Sequence, residues 1–309
     1  MPFIKTKHIV KVPTSAFIFI MEHFGCSQAQ AQRFIAKGRL FVDEHPFLNS
    51  GDFIKGNIDA IHFEAKSRGL RPIFNTLDFM VYDKPTGVLV HPNTIHTEYS
   101  MLDEIRAIAG NNVNALHRID METSGLLLAS KHKNAEKFIK NKFEMKTIQK
   151  TYIAWVDGKV EKNFSVDMPI LVNNTYELSK HKVLIDRRGK SAQTDFELIY
   201  YDDDLDASLL ICRPLTGRTH QIRVHLFHMK HPILGDPIYG TSFKASDSYL
   251  NGEISDEERD IETGANRLML HAQSLSFEYG ANYFIESKIN FIKKKEGIYA
   301  KNGRRFNKN

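Results

Sequence analysis

The densest chemistry in this chain lies in two clusters. The first is His117-Arg118-Ile119-Asp120-Met121-Glu122-Thr123-Ser124-Gly125, which runs straight into Leu126-Leu127-Leu128. The second is Thr216-Gly217-Arg218-Thr219-His220-Gln221-Ile222-Arg223-Val224-His225-Leu226. A carboxylate such as Asp120, set on a loop against a rigid core, can serve as a nucleophile or as a general base. On spacing alone, however, a lone Asp in a turn is a cap or turn former first and a reactive group second. Two competing constellations are weaker. His220, His225, His228 and His231 are close enough in sequence to suggest zinc, yet no Cys or acidic ligand falls into register with them, so no metal is expected. Ser124 lies near histidines, but no G-x-S-x-G turn surrounds it, which argues against a serine hydrolase.

The elements that must position these residues are legible in outline. Leu126–Leu128 is too short an apolar run for a helix and reads as a buried strand entered through the Thr123-Ser124-Gly125 turn. Phe79–Pro85 and Val88–Pro92 read as β-rich, strand-forming runs on either side of the Thr86-Gly87 turn. Residues 93–114 form a helix-bearing connection to the Asp120 loop. Lys133–Met145 carries Ala135, Phe138, Ile139 and Phe143 on one helical side, and Lys150–Val156 alternates as a strand. Two further strands are expected at 192–200 and 207–213, then a helix capped by Thr219 and carrying Ile222, Leu226 and Met229. Residues 241–266, rich in acidic side chains, read as a mobile, solvent-facing insertion, after which Leu268–Ala272 returns to strand.

Upstream, residues 1–12 read as a basic, solvated arm bearing Lys5, Lys7, His8 and Lys11. Thr14 or Ser15 could cap a first helix and Ser27 a second, Gln28–Ala36, followed by a strand at Leu40–Val42. Ser67–Pro72 is the linker to the larger part of the chain. The tail, 293–309, is basic and expected to be solvated. Asn173-Asn174 marks a loop.

Bulk properties are those of an ordinary globular protein: 309 residues, 42% hydrophobic and 26% charged. A net charge of +5 favours a polyanionic partner. Cys26 and Cys212 are isolated, which fits neither a disulfide framework nor a Cys-based zinc site and agrees with a reducing cytoplasm. The chain shows no secretory signal core and no run of membrane-spanning length.

The two clusters closely resemble motifs of the RluA-like RNA pseudouridine synthases. The first resembles their H-R-x-D-x-x-T-S-G-L-L-L signature and the second their G-R-T-H-Q-[IL]-R-x-H motif. Asp83-Lys84-Pro85 through His91-Pro92, Lys150-Thr151-Tyr152-Ile153-Ala154, Gly235–Gly240 and Leu268–Ala272 resemble four more, so that the likeness spans about residues 78–277. The resemblance implies an α+β fold built on a mixed, mostly antiparallel sheet, with a catalytic domain at 73–292. It also implies the reaction, cleavage of the bond from ribose to the uracil nitrogen and rejoining through carbon. No redox change or external group enters that reaction, so no cofactor is expected. By the same resemblance Asp120 is the essential carboxylate, Tyr152 the active-site tyrosine and Arg223 the partner of Asp120, holding it bidentately. Arg118 is expected to fill the space a flipped base vacates, with His117, Thr123, Arg218, His220, Gln221 and Leu270 around the substrate. Residues 13–66 are similar to the alpha-L RNA-binding domain in the second helix, in Ile35, Gly38 and Val42, and in Gly51-Asp52. They depart from it at Thr14-Ser15-Ala16 and Val42-Asp43-Glu44. Arg33, Lys37 and Arg39 are the RNA-contacting candidates there. The expected partner is ribosomal RNA, with transfer RNA the alternative, handled by a cytoplasmic monomer off the membrane. An RNA-binding assembly factor with a decayed site is the rival reading, and intact Asp120, Tyr152 and Arg223 speak against it.

Overall fold

The computed structural model describes residues 1–172, 183–293 and 295–299. The Asn173-Asn174 loop marker, Lys294 and the tail beyond Tyr299 lie outside the described residues. In chain order, the N-terminal part holds β1 (Phe3–Ser15), α1 (Ala16–Phe24), α2 (Gln28–Ala36), β2 (Leu40–Val42), β3 (His45–Phe47) and β4 (Phe53–Phe63). The arm expected over residues 1–12 is instead most of a strand. β1 pairs antiparallel with β4 from Phe3↔Phe63 to Val10↔Gly56. The reason is a period of two: Lys5, Lys7, Ile9 and Lys11 face solvent, while Ile4, Thr6, His8 and Val10 lie against the sheet and α1. The lysines that suggested a loose arm are one face of a strand. α2 starts as its sequence specifies, with Ser27 accepting from the Gln30 amide and Gln30 reaching back to Ser27. Ala16, Phe19, Ile20, Ala31, Ile35, Leu40, Ile54 and Ile58 make a separate small core.

The linker is not slack. The Lys66 amide donates to Asp103 at 3.0 Å, the Arg68 amide to Glu104 at 2.6 Å and the Ser67 hydroxyl to Glu104 at 2.5 Å. Asp103 and Glu104 are buried in the first turn of α3 (Met101–Ala109), so the N-terminal part is tied to the larger domain through a helix start.

The larger domain continues with β5 (Phe74–Asn75) and β6 (Phe79–Lys84) before α3. It then adds β7 (Ser124–Ser130), α4 (Lys133–Glu144), β8 (Gln149–Asp157), β9 (Phe164–Asp167), β10 (Ile170–Val172), β11 (Val183–Ile185), β12 (Gln193–Asp202), β13 (Ala207–Pro214), α5 (Gln221–His228), α6 (Phe243–Asn251), α7 (Asp256–Thr263), β14 (Leu270–Tyr279) and β15 (Ala281–Glu286). Among the described residues its main sheet runs β5-β6-β7-β14-β8-β13-β12-β9, with β15 added to β14. Only β7 and β14 pair parallel, through His271↔Ser124 and Ala272↔Gly125; every other pairing is antiparallel. The expected mixed, mostly antiparallel sheet is therefore the architecture. β7 is buried along its whole length, which is why the three leucines form a strand that no solvent face interrupts.

Three expectations are corrected here. Val88–Pro92 is not a strand, because its carbonyls are already spent. Val88 accepts from Lys84, Leu89 from the Met101 amide and Val90 from the Leu102 amide. Residues 241–266 are not a loose insertion: α6 and α7 form a helical pair whose Tyr249 and Arg259 reach the Asp120 loop. The described part of the tail also packs down, with the Tyr299 amide on the Gly264 carbonyl at 3.0 Å and Lys295 on Asp202.

Candidate active site

The Asp120 loop is the tip of a two-stranded arch. Leu116 donates to Leu128 at 2.8 Å and Ser130 to Asn114 at 3.2 Å, so residues 114–116 run antiparallel to β7 and residues 117–123 close the bend. Three ties hold that bend. His117 accepts the Leu128 amide on Nε2 at 3.0 Å. Lys84, fully buried, donates to the carbonyls of Pro85, Val88 and Met121 at 2.8, 2.8 and 2.9 Å. Thr86 donates to the Glu122 carbonyl at 2.6 Å. Where the loop enters β7, Gly125 has φ +105°, and a Cβ there would lie 2.3 Å from the Ala272 carbonyl oxygen. Only glycine lets β7 and β14 approach this closely.

Asp120 faces a cleft of about 670 Å³ lined by His91, Tyr152, Arg218, Ile222 and Leu270, among others. Its side chain keeps 27% of its surface, while that of Arg223 keeps 3%. Arg223 Nη1 donates to Asp120 Oδ2 at 3.1 Å. The bidentate pairing expected between these two is not what forms. Arg223 Nε and Nη2 instead grip the carboxylate of Asp236, at 2.7 and 2.8 Å, and Asp236 is fully buried. Asp236 Oδ1 also accepts the amides of Ile238 and Tyr239 at 2.9 and 3.0 Å. Burial alone would push the guanidinium down, but Asp236 and then Asp120 carry it above its ordinary value. A carboxylate that caps amides two and three residues ahead is an Asx turn, and Gly235-Asp236-Pro237 was the sequence signal for it.

Tyr152 stands on β8, paired with Ala272 and Cys212. Burial, and then the Asp120 charge, push its phenol well above the usual value, so it is a neutral O–H donor at physiological pH. Two residues earlier, Lys150 enters the same cleft, donates to the Thr216 carbonyl at 3.2 Å and is pushed down to about 8 by burial. Its proximity to the substrate space was not anticipated, although the alternation of β8 puts it on the Tyr152 face.

α5 begins one residue later than the Thr219 cap implied. His220 takes the N-cap with φ 53°, its Nδ1 is 3.0 Å from the Tyr239 hydroxyl, and its Nε2 is 3.8 Å from Asp120. Gln221 lines the cleft, yet its amide is fully occupied by the protein. It accepts from Thr216 Oγ1 and the Arg218 amide at 2.6 and 3.0 Å and donates to Gln193 O and Thr194 Oγ1 at 2.8 and 2.9 Å. Four of four bonds made leave Gln221 as a brace for the 214–218 turn. Thr123 is buried under the loop, its amide donating to the Asp120 carbonyl at 3.2 Å. Arg118 and Arg218 are exposed at the rim, where Lys140 and Lys146 join them. Leu270 forms part of the floor. His225 spends both ring nitrogens inside the fold, on Thr194 and on the Met168 carbonyl. No cluster of three His, Cys, Asp or Glu side chains suited to a metal occurs among the described residues. No helix among them is long and apolar enough to cross a membrane.

On the N-terminal part, Arg33 and Lys37 are exposed. Arg39 is not available in the same way. Its guanidinium lies 4.7 Å from the centre of the Phe3 ring, and burial lowers it.

The sequence model of the RNA pseudouridylate synthase family matches residues 78–228. A Helicobacter pylori protein named an uncharacterized RNA pseudouridine synthase is 39% identical over 94% of this chain and 95% of its own length. Ribosomal large subunit pseudouridine synthase C of Haemophilus influenzae is 33% identical over 66% of this chain and 59% of its own length. Among solved structures, human RNA pseudouridylate synthase domain containing 1 superposes with a TM-score of 0.57 at 24% identity, covering 73% of this chain and 86% of that one. The likeness over nearly the whole length joins the residue motifs and the sheet topology in one conclusion: the chain belongs to the RluA-like family of RNA pseudouridine synthases, isomerases that convert uridine in RNA to pseudouridine.

Proposed function

We propose that this chain isomerises specific uridines of ribosomal RNA, with Asp120 as the essential carboxylate. The observation that carries the reading is the placement of Asp120: solvent-reachable, inside a cleft that Tyr152 also lines, and held by a guanidinium at 3.1 Å. Arg223 directs the carboxylate and offsets its charge, because an anion on a partly desolvated loop needs a matched cation. Tyr152 offers a flat face for uracil and a neutral hydroxyl for the atom that loses its proton on rejoining. Leu270 packs beneath the base. Arg118 stacks in the space the flipped uridine leaves, and Arg218, Lys140 and Lys146 meet phosphates at the rim. His117, Thr123 and Gln221 act one step back, by holding the loop and the 214–218 turn. The N-terminal domain adds phosphate contacts through Arg33 and Lys37.

The test is to incubate the purified protein with ribosomal RNA and, separately, with transfer RNA, and to map pseudouridine at single-nucleotide resolution. Site-specific product in ribosomal RNA that disappears with Asp120→Asn is the expected result. Product in transfer RNA alone would overturn the substrate, and product from Asp120→Asn would overturn the residue.

A further inference from the structure

We propose that the α6–α7 hairpin is a positioning brace for the active-site loop, acting through Glu122, with Arg259 and Tyr249 as its positioning residues. This inference rests on Asp120 being the reactive carboxylate. Glu122 follows Asp120 by two residues and is buried to 8% exposure, a costly place for a carboxylate. Both of its oxygens are taken from the hairpin. Tyr249 of α6 donates to Oε1 at 2.7 Å, and Arg259 of α7 donates to Oε2 at 2.6 Å. The Arg259 guanidinium lies 5.3 Å from the centre of the Tyr249 ring, so the two grips support each other. The grip spans 127 and 137 residues of sequence.

The opposite side of the same loop is held by main-chain contacts. Lys84 takes the Met121 carbonyl and Thr86 the Glu122 carbonyl. The peptide segment beside Asp120 is therefore clamped between β6 and its turn on one side and the helical pair on the other. With the side chain of Glu122 released, the loop would keep its Lys84 and Thr86 carbonyl ties and the His117 tie at its start but lose its hold from the helical pair, and the carboxylate of Asp120 could shift relative to Arg223. Displacements of about 1 Å at a reacting group cost on the order of 100-fold in rate. The hairpin itself is built to stay folded as a unit. Ser242 accepts the Ala245 amide, Ser255 and Glu258 cap α7 reciprocally, and Gly252 and Gly264 close both helices in the left-handed region.

The test uses full-length Tyr249→Phe, Arg259→Met, Arg259→Lys and Asp120→Asn, each assayed by single-turnover kinetics at saturating RNA beside an RNA-binding titration and a melting curve. Tyr249→Phe keeps the ring that Arg259 covers and removes one hydrogen bond. It should slow the single-turnover step severalfold while RNA Kd stays within about twofold. Arg259→Met should slow that step tenfold or more with Kd again unchanged, and Arg259→Lys should restore part of the rate. Wild-type single-turnover rates in Tyr249→Phe and Arg259→Met would overturn the brace. So would a loss confined to Kd, or a rate deficit equal to the fraction unfolded. An active Asp120→Asn protein would instead remove the reading of Asp120 beneath it, which separates the two failures.

Discussion

Asp236, not Asp120, is the principal partner of Arg223: it takes two guanidinium nitrogens at 2.7 and 2.8 Å, and Asp120 takes the third at 3.1 Å. The tightest ion pair of Arg223 is thus the fully buried one, apart from its contact with the proposed reactive carboxylate. Arg223 and Asp236 are both nearly or wholly buried, whereas Asp120 remains reachable from the cleft.

That separation predicts opposite profiles for two aspartates. Asp120→Asn should lose activity by at least about 100-fold, since it removes a reacting group, yet leave the melting temperature close to wild type. Asp236→Ala should cost about 3–5 kcal/mol of stability by stranding a buried guanidinium, and activity with it. Arg223→Ala should behave like Asp236→Ala, because the stranded group is then Asp236. Urea unfolding of all three variants checks this; equal stability losses for Asp120→Asn and Asp236→Ala would contradict it.

Tyr152 yields a second pair of variants. Its phenol stays protonated across the working pH range. Tyr152→Phe should therefore retain RNA affinity and lose turnover by about 100-fold, the scale of one proton-transfer group. Tyr152→Ala should lose affinity as well, through the missing stacking face. Turnover of Tyr152→Phe at the wild-type rate would leave the hydroxyl without a role.

What the sequence revealed and what it hid divide along a physical line. Local signals were legible: the Ser27 capping box set α2, and period-two alternation set β8. The three leucines after Ser124-Gly125 set β7. Long-range compensation was not legible. The Asp236–Arg223 grip, the bond from Lys84 to the Met121 carbonyl and the Glu122 brace join residues 13, 37 and at least 127 positions apart, which no local pattern pairs. Val88–Pro92 has strand-forming residues, but Lys84 and α3 claim its carbonyls first. β1 shows the reverse error: its alternation was present, and the lysines on its outer face obscured it.

The N-terminal basic residues are predicted to differ among themselves. Arg33→Ala and Lys37→Ala should each flatten the dependence of log Kd on log salt by about 0.7–0.9 if each meets one phosphate. Arg39→Ala should leave that slope unchanged and lower the melting temperature, because its guanidinium packs on Phe3. Titrations of labelled RNA at several salt concentrations read the slope directly. A steeper effect from Arg39 than from Arg33 or Lys37 would reverse the assignment.

Acid should loosen the support of the Asp120 loop. Burial, followed by the charge of Lys150, pushes the His117 ring down to about 3, and its Nε2 must stay unprotonated to accept the Leu128 amide. Burial and the nearby Arg118 push His91 down to about 4. Both rings are neutral in the fold while their unfolded counterparts take up protons near 6.5, so acid favours the unfolded chain. The stability these neutral rings confer is complete above pH 6.5 and declines as pH falls toward 4 and then 3. Between pH 7 and 5 each ring should account for roughly 2 kcal/mol of lost stability, since one pKa unit corresponds to about 1.4 kcal/mol. His117→Gln, which keeps an acceptor but cannot titrate, should start less stable at pH 7 and lose less on going to pH 5. Urea midpoints at the two pH values measure the difference. A His117→Gln protein with the same pH dependence as wild type would mean that His117 does not carry the acid sensitivity.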